Sequence, residues 1–154
     1  MRFARQLIAV VGMLLLIVGP VRGGELTPEE TVKAYLKALQ TGDFNAAYPL
    51  VSQAMTQGKS REEWVKDQQW VMQASEAKIL DFHVYPGKTE GDKAYVPDLL
   101  SSQDKFLNQL GVEEHELYTL VREEGRWKVN QQQIVEPPDR GKWFPDAIEK
   151  KKGD

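Results

Sequence analysis

Cysteine is absent from all 154 residues. Its absence excludes disulfides, thiol nucleophiles and thiolate metal sites. It also closes the lipoprotein route of export, which acylates a Cys beside the cleavage point. Histidine is nearly absent too, with His83 and His115 as the only two. They fall in different expected strands, with no His-Glu-x-x-His and no pair at helical spacing, so no metal site is expected. No Gly-rich loop that would cradle a phosphate occurs, and no cofactor is expected. None of Ser52, Ser60, Ser75, Ser101 and Ser102 stands in the Gly-x-Ser-x-Gly setting of a hydrolase elbow. The longest apolar run, Leu7 to Val18, spans twelve residues, short of the roughly 20 that cross a bilayer core.

That run sits in an export pattern. Arg2 and Arg5 precede it, and Val21 and Gly23 suit the −3 and −1 positions of a cleavage after Gly23. Residues 1–23 therefore read as a signal peptide, and the expected location is periplasmic or secreted, with no anchor left after cleavage. Removing Arg2, Arg5 and Arg22 moves the formal charge from −3 to −6. An acidic domain is a poor partner for nucleic acid, which is bound largely by Lys and Arg. The remaining chain suffices for one domain with a sizeable core.

Local signals organise this domain. Thr27-Pro28-Glu29-Glu30 is a capping box with Pro at the first helical position. Val32, Tyr35, Leu36 and Leu39 follow as one stripe, and Gly42 stops the helix. Asp43 caps a short second helix carrying Phe44, Ala47, Tyr48 and Val51. Residues 52–59 read as a loop. Ser60 and Glu63 form a second capping box, opening a helix with Trp64, Val65, Val71 and Met72 on its buried face.

After Ala74 the period changes to two. Leu80, Phe82 and Val84 alternate with Asp81, His83 and Tyr85. Lys93 to Val96 is a strand expected to end at Pro97-Asp98. In residues 99–112, Phe106, Leu107 and Leu110 suit a short helix or an ordered loop. His115 to Arg122 carries Leu117, Thr119 and Val121 on one face and Tyr118 and Leu120 on the other. A turn with Gly125 leads to a returning strand, Trp127 to Val135. Pro137-Pro138 ends the pattern, and 137–154 reads as a C-terminal tail with Trp143, Phe144 and Ile148. Helices first and antiparallel strands afterwards give an α+β domain over 24–136, helices packed on a curved sheet.

Two stretches carry a family resemblance. One is Glu30-Thr-Val-Lys-Ala-Tyr-Leu-Lys-Ala-Leu39 followed by Thr41-Gly-Asp-Phe-Asn-Ala-Ala-Tyr48. The other is Tyr118-Thr-Leu-Val-Arg-Glu-Glu-Gly-Arg-Trp-Lys-Val129. Over roughly 27–135 the chain resembles the nuclear-transport-factor-like superfamily, the cone-shaped α+β roll that includes ketosteroid isomerase, and its small exported bacterial members in particular. The resemblance implies a cone between helices and sheet that is a ligand cavity, a catalytic site or filled core.

An isomerase-like site needs a carboxylate base and Tyr or protonated Asp donors. Asp81, His83 and Asp98 are the candidate bases. Asp81 and His83 share a strand face and could shuttle a proton, though alternation alone explains them as the wet face of the strand. Tyr35, Tyr48, Trp64 and Tyr95 are the candidate pocket lining, and core packing accounts for them as well. No residue maps onto the family's catalytic carboxylates. The leading expectation is thus a non-catalytic binding or interaction domain, holding a small apolar ligand or pairing as a homodimer through the Tyr118 and Leu120 face. An isomerase, cyclase or dehydratase, or an accessory domain of an envelope assembly, are the alternatives.

Overall fold

A computed structural model of the chain describes residues 24–145. The expected signal peptide, Ile148 and the last residues of the tail lie outside the described residues. Helix α1 (Pro28–Thr41) begins at the expected capping box: the Thr27 hydroxyl accepts from the Glu30 amide at 3.2 Å, and Glu30 accepts from the Thr27 amide at 2.8 Å. It ends where Gly42 takes a left-handed conformation, φ 71°, which Gly adopts without a side-chain penalty. Asp43 then caps α2 (Phe44–Ala47) through the Ala46 amide. A 3-10 turn (Tyr48–Leu50) and α3 (Gln53–Thr56) follow, so a short helix occupies the stretch expected to be a loop. Its start is explained by Ser52, whose hydroxyl accepts from the Met55 amide. Helix α4 (Arg61–Ser75) opens at the Ser60–Glu63 capping box.

Five strands form one antiparallel sheet: β1 (Lys78–Val84), β2 (Lys88–Glu90), β3 (Lys93–Gln103), β4 (Glu113–Glu123) and β5 (Arg126–Ile134). The order is β1-β3-β4-β5, with β2 also paired to β3. β3 does not stop at Pro97. Pro97 lies where β1 has ended and β2 has not begun, and its carbonyl accepts from Tyr85 on that side. The donor that Pro lacks would face the gap, so no ladder bond is lost. Gly87 passes so close to β3 that a Cβ there would lie 2.5 Å from the Tyr95 carbonyl oxygen.

One face of the sheet curls around the helices. Val32, Tyr35, Leu36, Trp64 and Val65 from the helices meet Ala94, Val96, Leu100, Tyr118, Leu120 and Val129 from the sheet. Burying a side chain such as Leu36 contributes about 1.5–3 kcal/mol. Phe82 and Val84 join this core as expected, but Leu80 is exposed and Ile79 takes its place. The register supplies the reason: Ile79 pairs with Ser102 and Asp81 with Ser101, leaving Leu80 as a bulge that resets the alternation. Tyr118 and Leu120, expected on a pairing surface, are core.

The opposite, convex face is covered by the chain's own tail. A 3-10 turn (Pro137–Asp139) and α5 (Arg140–Trp143) bring Phe144 onto Leu117 and Val135, where it is 2% exposed. Its ring meets Tyr85 and His115 edge to face at 5.4 and 4.7 Å. The β3–β4 connection is an ordered loop rather than a helix. Asp104 accepts from the Phe106 and Leu107 amides, and the buried Asn108 ties Ser102 to Val112. Phe106, Leu107 and Leu110 stand exposed on it.

Candidate functional site

Alternation along β3 sends Ala94, Val96, Asp98 and Leu100 to the concave side. The β3–β4 register sets Leu120, Tyr118, Glu116 and Glu114 opposite them in turn. Asp98 and Glu116 are therefore direct cross-strand partners, with Cβ atoms about 5 Å apart for such a pair. Asp98 is 0% and Glu116 2% exposed. The Glu116 carboxylate accepts from the Tyr118 hydroxyl at 3.2 Å and from the Gln132 amide at 2.6 Å. Among the described residues, neither Asp98 carboxyl oxygen has a hydrogen-bond partner. Tyr35 stands edge-on to Tyr118, ring centroids 6.1 Å apart.

Two like charges side by side in a low-dielectric interior cannot both persist. Burial, and then the neighbouring Glu116 charge, push Asp98 up to about 8. Burial also raises Glu116, to about 7, against the opposing hydrogen bonds from Gln132 and Tyr118 and with a further push from Glu114. Tyr35 rises to about 12 through burial and Glu116. Tyr118 is held well above its ordinary value, chiefly by burial. Burial thus favours the neutral carboxylic acid form of Asp98, an O–H donor with no acceptor, beside a second carboxyl whose proton affinity is also raised. The two titrate as a coupled pair.

Three positions on the concave side of the sheet and on the helix facing it reach solvent. Ile134 pairs with Glu116 and so shares the concave face, yet it is 55% exposed. Val71 follows Trp64 by seven residues and lies on the same side of α4, yet it is 49% exposed. Gln132, opposite Tyr118 and itself exposed, lies over Glu116 with its amide. A cleft of about 1220 Å³ lies at the hairpin end, between Leu26, Pro49 and Trp127, and neither carboxyl lines it. Among the described residues no His, Asp or Glu cluster is arranged to hold a metal ion.

The candidates named from sequence divide between two faces. Asp98 and Tyr35 enter the concave interior. Trp64 is core, and Tyr48 lies at its end, packing edge-on to Trp64 at 5.8 Å and donating its hydroxyl to the Lys59 carbonyl. Asp81 and His83 are exposed on β1, and His83 stacks edge-on with Tyr85 at 4.6 Å. Tyr95 is on the convex face against Trp143. Glu116, Tyr118 and Gln132 were missed. The signal was present in the alternation of Glu116, Tyr118 and Leu120, but the acidic residues Glu113, Glu114 and Glu116 around His115 mask it.

No protein-family model matches the chain, and no curated protein matches it. Solved structures do. The chain is similar to a SEC-C-motif-containing protein from Rhodopseudomonas palustris, at 14% identity and a TM-score of 0.56, covering 71% of this chain and 80% of that one. It is similar to a candidate ketosteroid isomerase from Shewanella frigidimarina, at 19% identity and a TM-score of 0.50, covering 71% and 95%. An NTF2-like protein of unknown function from Cytophaga hutchinsonii aligns at 17% identity and a TM-score of 0.45, covering 75% and 96%. At these identities the likeness is one of fold, and a fold of this kind hosts many activities. The fold, helices packed on a curved antiparallel sheet, is the one this chain shares with the ketosteroid-isomerase-like structure.

Proposed function

We propose that the chain is an exported binding domain whose cone takes a compact, largely apolar, uncharged molecule bearing a carbonyl or hydroxyl oxygen. The observation that carries this reading is the Asp98 carboxyl, fully buried and without a hydrogen-bond partner. A buried polar group left unsatisfied costs about 1–3 kcal/mol, and such groups call for a reason. A ligand oxygen accepting from the Asp98 O–H removes that cost. Tyr35, Tyr118 and Leu100 supply ring and alkyl surface around it, and Gln132 turns aside to admit the ligand. Export rests on the pattern of residues 1–23.

One observation favours a second reading, catalysis of proton transfer next to a carbonyl. Asp98 and Glu116 are cross-strand partners with raised proton affinities and different hydrogen-bond surroundings, which suits an acid and a base acting together. Glu116 would remove the proton while Asp98 donates a hydrogen bond to the oxygen.

Calorimetric titration with cyclic ketones of increasing size, from cyclohexanone upward, tests the proposal. Saturable binding that falls at least about tenfold in Asp98→Val is expected, since one buried hydrogen bond is lost. Ketones that fail to bind, or that bind Asp98→Val equally well, contradict it. Deuterium uptake at the α-carbon of a bound ketone in D2O, abolished in Glu116→Gln, would move the assignment to the second reading.

A further inference from the structure

A second site lies on the other side of the sheet. Between the convex face and the docked tail there is a cleft of about 540 Å³, within the range of about 300–1,000 Å³ typical of small-molecule sites. Cross-strand register builds its floor. Tyr95 on β3 pairs with Thr119 on β4, and Thr119 pairs with Gln131 on β5. Strands lie about 4.8 Å apart, so an aromatic ring, a hydroxyl and an amide stand in one row across three strands. Gln133, paired with Leu117, adds a second amide on the same face. The tail supplies the wall. Trp143 lies 5.9 Å from Tyr95 with the two ring planes 38° apart, and buried Phe144 anchors it there.

The chemistry of this lining is selective. Among the described residues, the side chains of Thr119, Gln131 and Gln133 make no hydrogen bond within the protein. Gln132, between them in sequence, turns the other way and is occupied by Glu116. The charges in the lining balance: Lys93 and Lys142 against Glu136 and Asp139, with Lys142 and Asp139 already paired at 2.8 Å. A balanced lining does not select an anion or a cation. Half-buried rings with free amides and a hydroxyl beside them match a molecule with apolar C–H faces and a rim of neutral hydroxyls. The Lys88 ammonium rests 4.9 Å over the Trp143 ring, on a flexible stem that a stacking ligand can displace.

We infer that this cleft binds a neutral oligosaccharide, with Tyr95 and Trp143 stacking on sugar faces and Thr119, Gln131 and Gln133 bonding to hydroxyls. The site is independent of the cone. The tail is then a structural part of a binding site, which explains why its apolar residues are docked rather than loose.

The test is calorimetric titration of the chain with cellotetraose, maltotetraose and tetra-N-acetylchitotetraose. At least one is expected to bind saturably. Tyr95→Ala and Trp143→Ala should each weaken that binding about tenfold or more, and Trp143→Phe should restore most of it. Asp98→Val should leave it unchanged. Circular dichroism of each variant confirms folding. No saturable binding by any of the three overturns the inference. So does binding indifferent to Tyr95 and Trp143, binding lost in Asp98→Val, or tighter, salt-sensitive binding of the anionic polygalacturonate.

Discussion

The two faces of one sheet solve opposite problems. On the convex side, polar groups reach solvent, charges are balanced, and apolar surface is covered by Phe144 and Trp143. On the concave side two carboxyl groups are sealed together, and one of them has nothing to bond. The first face is stable as it stands. The second carries an internal penalty, and proteins keep such penalties at sites that act. The contrast teaches where to look: burial alone is packing, but burial without satisfaction is a site.

The largest expected effect is on pH. Both acids have raised affinity for protons in the folded chain, from ordinary values of 3.8 and 4.5 up to about 8 and about 7. Between those limits the native state holds more protons than the unfolded one. The contribution of this pair to stability is therefore greatest below about pH 4, falls as pH rises through neutrality, and levels off only above about pH 9. Each carboxyl contributes a slope of up to about 1.4 kcal/mol per pH unit. Urea unfolding at stepped pH should show the fall, and the double variant Asp98→Asn with Glu116→Gln should flatten it. An equal slope in both proteins contradicts the account.

Next in size is the tail. Phe144→Ala removes its anchor and should destabilise by about 3 kcal/mol, with new protease cleavage between 136 and 145. Unchanged stability and resistance would mean the convex face does not need its cover. Replacing Asp98 by Val should act in the opposite sense, stabilising by about 1–3 kcal/mol at neutral pH because an unsatisfied polar group gives way to an apolar one. Destabilisation by that change would argue that Asp98 is satisfied by something internal. The smallest effect belongs to Gln132→Leu. Loss of its hydrogen bond should move the Glu116 titration upward, visible by carbon NMR, with little change in overall stability.

Much of this fold was legible because it is local. Thr27 with Glu30 and Ser60 with Glu63 need only three-residue spacing to declare a helix start, and both boxes form. Gly42 and Asp43 are equally local. What alternation could not reveal was which face of β4 is inside, because Leu117, Thr119 and Val121 look as apolar as Tyr118 and Leu120. Both faces are covered, one by helices and one by the tail. The bulge at Leu80 depends on β3 as a partner, and the run of β3 through Pro97 depends on β4 and on the gap between β1 and β2, so neither leaves a mark in the sequence itself. Asp98 stood among the sequence candidates, whereas Glu116 did not, since its burial follows from pairing with Asp98 across the sheet.

The central claim is that Asp98 is a neutral acid inside the folded domain. Carbon NMR of the chain labelled at the aspartate carboxyl, with the signal assigned by its loss in Asp98→Asn, measures this directly. The account predicts a carboxyl that stays protonated at pH 7 and titrates at about 8. A midpoint at or below its ordinary 3.8 would contradict it.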